Sequence, residues 1–282
     1  FMSFGKMPIA NGFLKKNNFK KEFFFNLEVG FSKKLSLFQI NEHPKPEQMF
    51  NKNYPFFTGS SKGMINHFKE YSKWIKKHYG KGLKNLLEIG SNDGTFLNNF
   101  NKKKIKVIGF EPSSNVANIS KKKGIKTINS FFNYKNVKHL KSLQKKINII
   151  TAANVICHVP DLKNLIRGID FLLSDNGVFI FEEPYLGSMY DKVSYDQIYD
   201  EHIFIFSVNS IKKIFELFNF ELIDVIPQNT HGGSMRYVIS RKGQKKIKVS
   251  VKKLLKKERI KDIDNLKGCL RFKKKCEKSK KL

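Results

Sequence analysis

Three groups of residues have types and spacing that could do chemistry. In the first, the apolar run 86–89 stops at Gly90 and gives way to Ser91, Asn92, Asp93 and Gly94 before apolar residues resume at Phe96. This is the outline of a strand, a tight glycine turn and a helix N-terminus, where backbone N–H groups can meet a nucleotide-like ligand. A second strand, 106–110, ends at Glu111, where a carboxylate can accept hydrogen bonds from both ribose hydroxyls. The turn reads Gly90-x-x-x-Gly94 and lacks the Gly-x-Gly-x-x-Gly of dinucleotide folds: position 92 is Asn, and no third glycine supports close helix packing. A nucleoside-type cofactor without a pyrophosphate therefore fits better than NAD, and S-adenosylmethionine (SAM) is the leading candidate.

The second group is Tyr199-Asp200-Glu201-His202. A histidine that titrates near neutrality can take a proton from a carbon beside a ketone. A neighbouring carboxylate can orient the imidazole, and a tyrosine can bond the substrate oxygen. Spacing alone favours the plainer reading, an ordinary polar helix start. The third group is a single residue, His158, which follows the strand 148–152 at the carboxyl edge of the expected sheet, where ligands bind.

The elements that must hold these groups alternate. Met64, Phe68, Tyr71, Trp74 and Ile75 recur at helical spacing and predict a helix over 63–79, ended by Gly80 and Gly82. After the strand 86–89 we expect a helix over 95–101, the strand 106–110, a helix from Ser113 or Ser114 to Lys123 with Gly124 as its stop, and a short strand at 126–128. The strand 148–152 follows, then a helix from Pro160-Asp161-Leu162 to Leu173, closed by Asp175-Asn176-Gly177, and the strand 178–181. Asn209 or Ser210 should cap an amphipathic helix carrying Ile211, Ile214, Phe215 and Phe218. The segments 221–226 and 235–240 read as a closing pair of strands. Repeated βα units predict an α/β fold with a doubly wound, mostly parallel sheet. Residues 1–60 read as short strands and loops.

With 282 residues, 40% of them hydrophobic, the chain can bury a full core. The net charge is +30, but only five of the 54 basic residues are arginine and lysine is spread through nearly every segment. Nucleic-acid readers concentrate arginine and aromatics on one face, so composition bias is the better account and nucleic acid is not the expected partner. Cys157, Cys269 and Cys276 form no Cys-x-x-Cys pair, which points to a reduced, cytoplasmic setting. No run approaches the ~18 apolar residues of a membrane helix, and no signal peptide is visible. The chain opens on Phe1, and we expect a fragment. The lysine-rich stretch 244–282, with apolar Val251, Leu254, Leu255, Ile263 and Leu266, reads as a solvated helical tail.

The motifs Glu88-Ile89-Gly90-Ser91-Asn92-Asp93-Gly94, Gly109-Phe110-Glu111-Pro112, Ala153-Asn154-Val155-Ile156-Cys157-His158-Val159-Pro160, Phe181-Glu182-Glu183-Pro184-Tyr185, Tyr195-Asp196-Gln197-Ile198-Tyr199-Asp200-Glu201-His202 and His231-Gly232-Gly233-Ser234-Met235-Arg236 occur in this order. Together with Pro8-Ile9-Ala10-Asn11 and Tyr54-Pro55-Phe56 they resemble the SAM-dependent sugar C-methyltransferases that act on nucleotide-linked 4-keto-deoxysugars. The resemblance implies a small zinc-binding N-terminal domain, a class I methyltransferase domain and a C-terminal Rossmann-like domain. Mapped here, these become a degenerate lobe over 1–62, the methyltransferase domain over 63–243 and a helical tail over 244–282 leading to a missing C-terminal domain. Where the second zinc-binding cysteine pair should stand, the chain has Ser32 and Leu35; neither can replace a thiolate, so no zinc and no other metal is expected.

The resemblance further implies that Glu88, Gly90, Asn92, Asp93, Gly94, Glu111 and Asn154 hold SAM. It makes His202 the base, with Tyr199, Glu201 and His158 beside it, and sets Tyr54, Tyr185 and His231 against the substrate. Two alternatives stay open: a truncated, non-catalytic SAM-binding remnant, and an O- or N-methyltransferase on another small molecule.

Overall fold

The computed structural model describes residues 1–280. Its strands are β1 (Met2–Pro8), β2 (Phe24–Ser32), β3 (Leu37–Ile40), β4 (Asn85–Ile89), β5 (Lys106–Phe110), β6 (Lys126–Ile128), β7 (Ile147–Ala153), β8 (Leu173–Pro184), β9 (Phe204–Ile205), β10 (Phe220–Gln228) and β11 (Ser234–Arg241). The helices are α1 (Pro46–Met49), α2 (Lys62–Tyr79), α3 (Ser114–Lys122), α4 (Tyr134–Val137), α5 (Leu162–Leu172), α6 (Leu186–Lys192), α7 (Val208–Glu216), α8 (Val249–Ile260) and α9 (Leu266–Lys280). Two compact units share the chain: one comprises residues 1–49, 156–160 and 182–282, the other 50–155 and 161–181. Domains drawn as consecutive stretches of sequence therefore do not coincide with the units, because the chain crosses between them several times.

In the second unit the strands run in the order β8-β7-β4-β5-β6. Pairings β4–β5, β4–β7 and β5–β6 are parallel, with Leu87 opposite both Ile108 and Ile150. Leu86, Leu87, Ile108, Ile149 and Ile150 are buried, as the continuous apolar runs of a sheet covered on both faces require. Ser61 caps α2 by accepting from the Met64 N–H. The helix buries Phe68, Tyr71 and Ile75, and the Tyr71 hydroxyl donates to the Ile180 carbonyl at 3.2 Å.

The expected helix over 95–101 shrinks to a single 3-10 turn, Leu97–Asn99. Asn99 Nδ2 donates to the carbonyls of Thr95 and Phe96, taking acceptors a continuing helix would use. Phe96 instead packs at 5.0 Å from Tyr71 and 5.5 Å from Phe68. Strand β8 also starts earlier than expected and takes in Asp175-Asn176-Gly177, so α5 passes directly into it.

In the first unit β1, β2, β3 and β9 form an antiparallel sheet, with Val29 opposite Ile40 and Phe38 opposite Ile205. Strands β10 and β11 pair antiparallel, Leu222 opposite Ile239. The cap of α7 is Ser207, two or three residues before the expected position. Its side chain accepts from Ser210 N–H while the Ser210 hydroxyl accepts from Ser207 N–H, a reciprocal capping box.

Residues 249–280 are not a solvated tail. They form α8, α9 and the turn between them, which bury Val251, Glu258, Ile263, Cys269, Phe272 and Cys276. Phe272 stacks on Tyr190 at 4.7 Å and meets Phe38 edge-on at 6.5 Å. The lysines obscured this: with a charge at most other positions, the apolar stripe is one residue wide. All three cysteines are buried and free. Among the described residues no helix is long and apolar enough to cross a membrane.

Candidate functional site

The glycine turn follows β4 as expected. Gly90 and Gly94 have φ of +67° and +77°, and a Cβ on Gly90 would collide with the Val155 side chain. Both the left-handed backbone and the absence of a side chain are needed there. Asn92 also sits at positive φ, +47°.

The polar side chains of the turn mainly build it. Asn92 Oδ1 accepts from the Thr58 and Asp93 N–H groups, and Asn92 Nδ2 donates to the Phe56 carbonyl. Asp93 Oδ1 accepts from both the N–H and the hydroxyl of Thr95, and its Oδ2 accepts from Gly59 N–H. Glu111 straps the turn to the end of β5: Oε2 accepts from Asn92 N–H at 2.9 Å and Oε1 from Ser113 N–H at 2.8 Å. Each oxygen keeps a lone pair for a ligand. Burial raises the Glu111 carboxyl from its ordinary range, partly offset by these donors.

Glu88, at the end of β4, is buried, and its Oε2 lacks a hydrogen-bond partner among the described residues. Burial, and then the negative charges of Glu111 and Asp93, push its carboxyl well above the ordinary value. A carboxyl oxygen left unmatched in a closed glycine cradle is what a missing polar ligand leaves behind, so the residues fit a nucleoside-type cofactor. Asn154 follows β7 at φ +54°. Tyr54 belongs to this same unit, with its carbonyl accepting from Asn115 Nδ2 at 2.8 Å and its ring 5.4 Å from Phe50.

The histidines gather in the other unit. His158 and His202 stack with ring centroids 5.4 Å apart. His202 Nδ1 lies 2.8 Å from the Gln197 carbonyl and Nε2 lies 3.3 Å from the Tyr199 hydroxyl. A carbonyl can only accept, so Nδ1 carries the hydrogen and Nε2 presents a lone pair. Burial lowers the His202 pKa to about 4, the Gln197 carbonyl opposing and His231 adding to the shift. His158 is driven well down by burial and then by His202 and His231. Both rings are therefore neutral at physiological pH.

The expected carboxylate partner of His202 is not Glu201. Glu201 Oε1 accepts from Asn11 Nδ2 at 2.7 Å, and the imidazole is oriented by the Gln197 backbone instead. Gln197 Nε2 also donates to the His231 carbonyl at 3.0 Å, so one residue links His202 to His231. Tyr185 departs from its expected place against the substrate: the ring is buried and the hydroxyl donates to Glu258 Oε1 at 2.9 Å. Glu258 accepts in addition from Val208 N–H and Asn209 N–H at the start of α7. Burial still lifts its pKa to about 7.

Sequence reasoning missed Gln197, Glu258 and Asn11. Gln197 acts through its backbone, which leaves no trace in residue type. Glu258 stands alone among lysines, and Asn11 lay inside a quoted motif without an assigned role.

Cys157 Sγ, a His158 ring nitrogen and a His202 ring nitrogen lie within 4.8 Å of one another. The Cys157 thiol is raised well above its usual range by burial and by Glu183.

The parallel sheet, its glycine turn and the acidic residue closing β5 define a class I methyltransferase fold. Residues 64–225 match the family described as a methyltransferase domain, and the chain belongs to that family. Residues 1–50 match a zinc-binding domain model and residues 229–282 a C-methyltransferase C-terminal domain model.

C-methyltransferase NovU of Streptomyces niveus is 26% identical over 236 residues, which cover 83% of this chain and 56% of that protein. The chain thus spans little more than half the length of this curated relative. The PH0226 protein of Pyrococcus horikoshii aligns with TM-score 0.53 at 12% identity, covering 66% of this chain and 95% of that one. Magnesium protoporphyrin IX methyltransferase of Synechocystis, solved with bound SAH, aligns with TM-score 0.48 at 14% identity, covering 64% and 84%.

The zinc-domain match meets a segment without a cysteine. Ser32 ends β2, its hydroxyl accepting from Leu35 N–H at 3.4 Å, and Ser32 pairs with Leu37 across a plain hairpin. These residues do not fit a zinc centre. An apolar core of Phe25, Leu27, Val29, Phe38 and Ile40 holds the lobe instead.

Proposed function

We propose that this chain is a SAM-dependent C-methyltransferase that methylates C3 of a nucleotide-linked 4-keto-deoxysugar through an enolate. The observation that carries this reading is His202: a buried, neutral imidazole with Nδ1–H tied to Gln197 and the Nε2 lone pair beside the Tyr199 hydroxyl. The match of residues 229–282 to a C-methyltransferase domain and the likeness to NovU support the choice of carbon as acceptor.

The glycine turn, Glu88, Glu111 and Asn154 hold the cofactor. Bound there, SAM supplies an electrophilic methyl group. His202 Nε2 accepts the C3 proton, made acidic by the adjacent ketone. The Tyr199 hydroxyl donates to the enolate oxygen, which stabilises the charge as it develops. Positioned acid–base catalysis of this type contributes about 10²–10⁴-fold, and alignment of the two reacting carbons supplies much of the rest. His158, stacked on His202, keeps the base desolvated. His231 lines the sugar. The substrate is a small molecule, not nucleic acid, and its nucleotide puts the work in the cytoplasm.

Incubation with SAM and nucleotide 4-keto-deoxysugars tests the reading. A product heavier by one methyl group, with the label on carbon, is expected. SAM binding without any methylated product would overturn it and leave a cofactor-binding remnant.

A further inference from the structure

Pro8-Ile9-Ala10-Asn11 runs on from the end of β1 in a segment without cysteine, yet two of its residues reach the motif Tyr199-Asp200-Glu201-His202 190 positions away. The Ala10 N–H donates to Asp200 Oδ1 at 3.0 Å, and Asn11 Nδ2 donates to Glu201 Oε1 at 2.7 Å. Asp200 and Glu201 are themselves 1% and 3% exposed, while Asn11 is exposed. Two adjacent buried carboxylates, neither ion-paired among the described residues, are expensive to fold. Asp200 Oδ2 is buried without a hydrogen-bond partner among the described residues.

The ladders of β1-β2-β3-β9 do not include these two bonds, and Phe272 of α9 packs edge-on against Phe38. We propose that Asn11, with the backbone of Ala10, is a positioning clamp through which the N-terminal lobe sets the Asp200–Glu201 carboxylates in the acceptor site. The lobe then serves the acceptor reaction directly and needs no zinc to do so. Asn11 acts through Glu201 and makes no step of the chemistry itself.

The group facing Glu201 must be a hydrogen-bond donor. A carboxylate accepts only, and the Asn11 Nδ2–H is a donor held against it. Burial raises the carboxyls of Asp200 and Glu201, and the Ala10 and Asn11 donors oppose this. Replacing the amide by an isosteric carboxylate would put a third negative charge against the pair.

This proposal rests on the reading of the acceptor site given above, so its test has two arms. The first needs no substrate. Asn11→Asp should lower Tm by several degrees, more than Asn11→Ala, and Glu201→Gln should relieve most of that loss in the double variant. A tolerated Asn11→Asp, or a loss that Glu201→Gln leaves unchanged, would overturn the clamp, because a packing role accepts the isostere.

The second arm measures turnover with SAM and the 4-keto sugar. Asn11→Ala should raise the acceptor KM or lower kcat at least tenfold while the SAM Kd stays within twofold; both constants near wild type would remove the clamp from catalysis. If the wild-type protein turns over no 4-keto sugar, the functional reading fails while the first arm still decides the clamp.

Discussion

The glycine turn and the histidine cluster are built by opposite means. Around the turn, Glu111 reaches Asn92 over 19 residues, Asn92 and Asp93 reach Phe56, Thr58 and Gly59 over 34 to 36, and the other bonds named above span one or two positions. The histidine cluster is gathered from distant stretches: His158 stacks on His202, Asn11 holds Glu201 across 190 residues, and Glu258 reaches Tyr185 across 73. A local site made of backbone turns can be read from spacing. A site assembled from remote segments depends on every element that carries them.

The contrast can be broken or sharpened by substitution. The largest effect should come from His202→Ala, which is expected to slow exchange of the C3 proton into deuterated buffer by about 10²–10⁴-fold while SAM affinity holds. Exchange at the wild-type rate would strip His202 of its role as base.

Glu258→Ala should be next. It removes the acceptor of the Tyr185 hydroxyl and of two N–H groups at the start of α7. Each buried donor left unsatisfied costs about 1–3 kcal/mol. We expect a fall in Tm and in turnover with SAM affinity again intact. Unchanged melting would mean that α8 is not part of the acceptor half.

Gly90→Ala probes the other side. The strained φ and the clash with Val155 should weaken SAM binding about tenfold, given ~1–2 kcal/mol for a side chain in the left-handed region. Calorimetric titration with SAM reads this directly, and His202 exchange in the absence of SAM should persist.

The pH dependence should be smaller and runs in a definite direction. The His202 pKa of about 4 in the folded protein lies below the ~6.5 of an unfolded chain. The unfolded state therefore binds more protons between those values. The contribution of the neutral ring to stability is present above ~6.5 and is lost as pH falls toward 4. Exchange should stay level from pH 6 to 8 and decline only toward pH 4, and a midpoint near 6.5 would contradict the buried, neutral base. Tyr199→Phe should have the mildest effect, about tenfold or less on turnover, because only one donor to the enolate oxygen is lost.

Much of the glycine turn was legible because its residues are those with special backbone needs. Gly90, Gly94 and the acidic end of β5 announce themselves by type and position. The helix over 95–101 misled because its periodicity was sound while Asn99 took the carbonyls that would have extended it. The tail misled in the opposite way: its lysines hid a single buried stripe through Glu258 and Phe272. In the histidine cluster the sequence picked out His202, Tyr199 and His158, and the structure brings them together. It could not show that Gln197 would orient the imidazole through its carbonyl, since every residue has one.

By itself, the sequence determined the alternation of strands and helices, the glycine turn with its left-handed residues, and the absence of cysteines where zinc would bind. These follow from local rules, namely periodicity, allowed φ and ligand chemistry. Only tertiary structure decided which carboxylate is held by which donor, that Tyr185 faces Glu258, and that Asn11 meets Glu201. Those pairings are set by packing between segments far apart in the chain, and the energy that selects them comes from burying groups that no short stretch can bury alone.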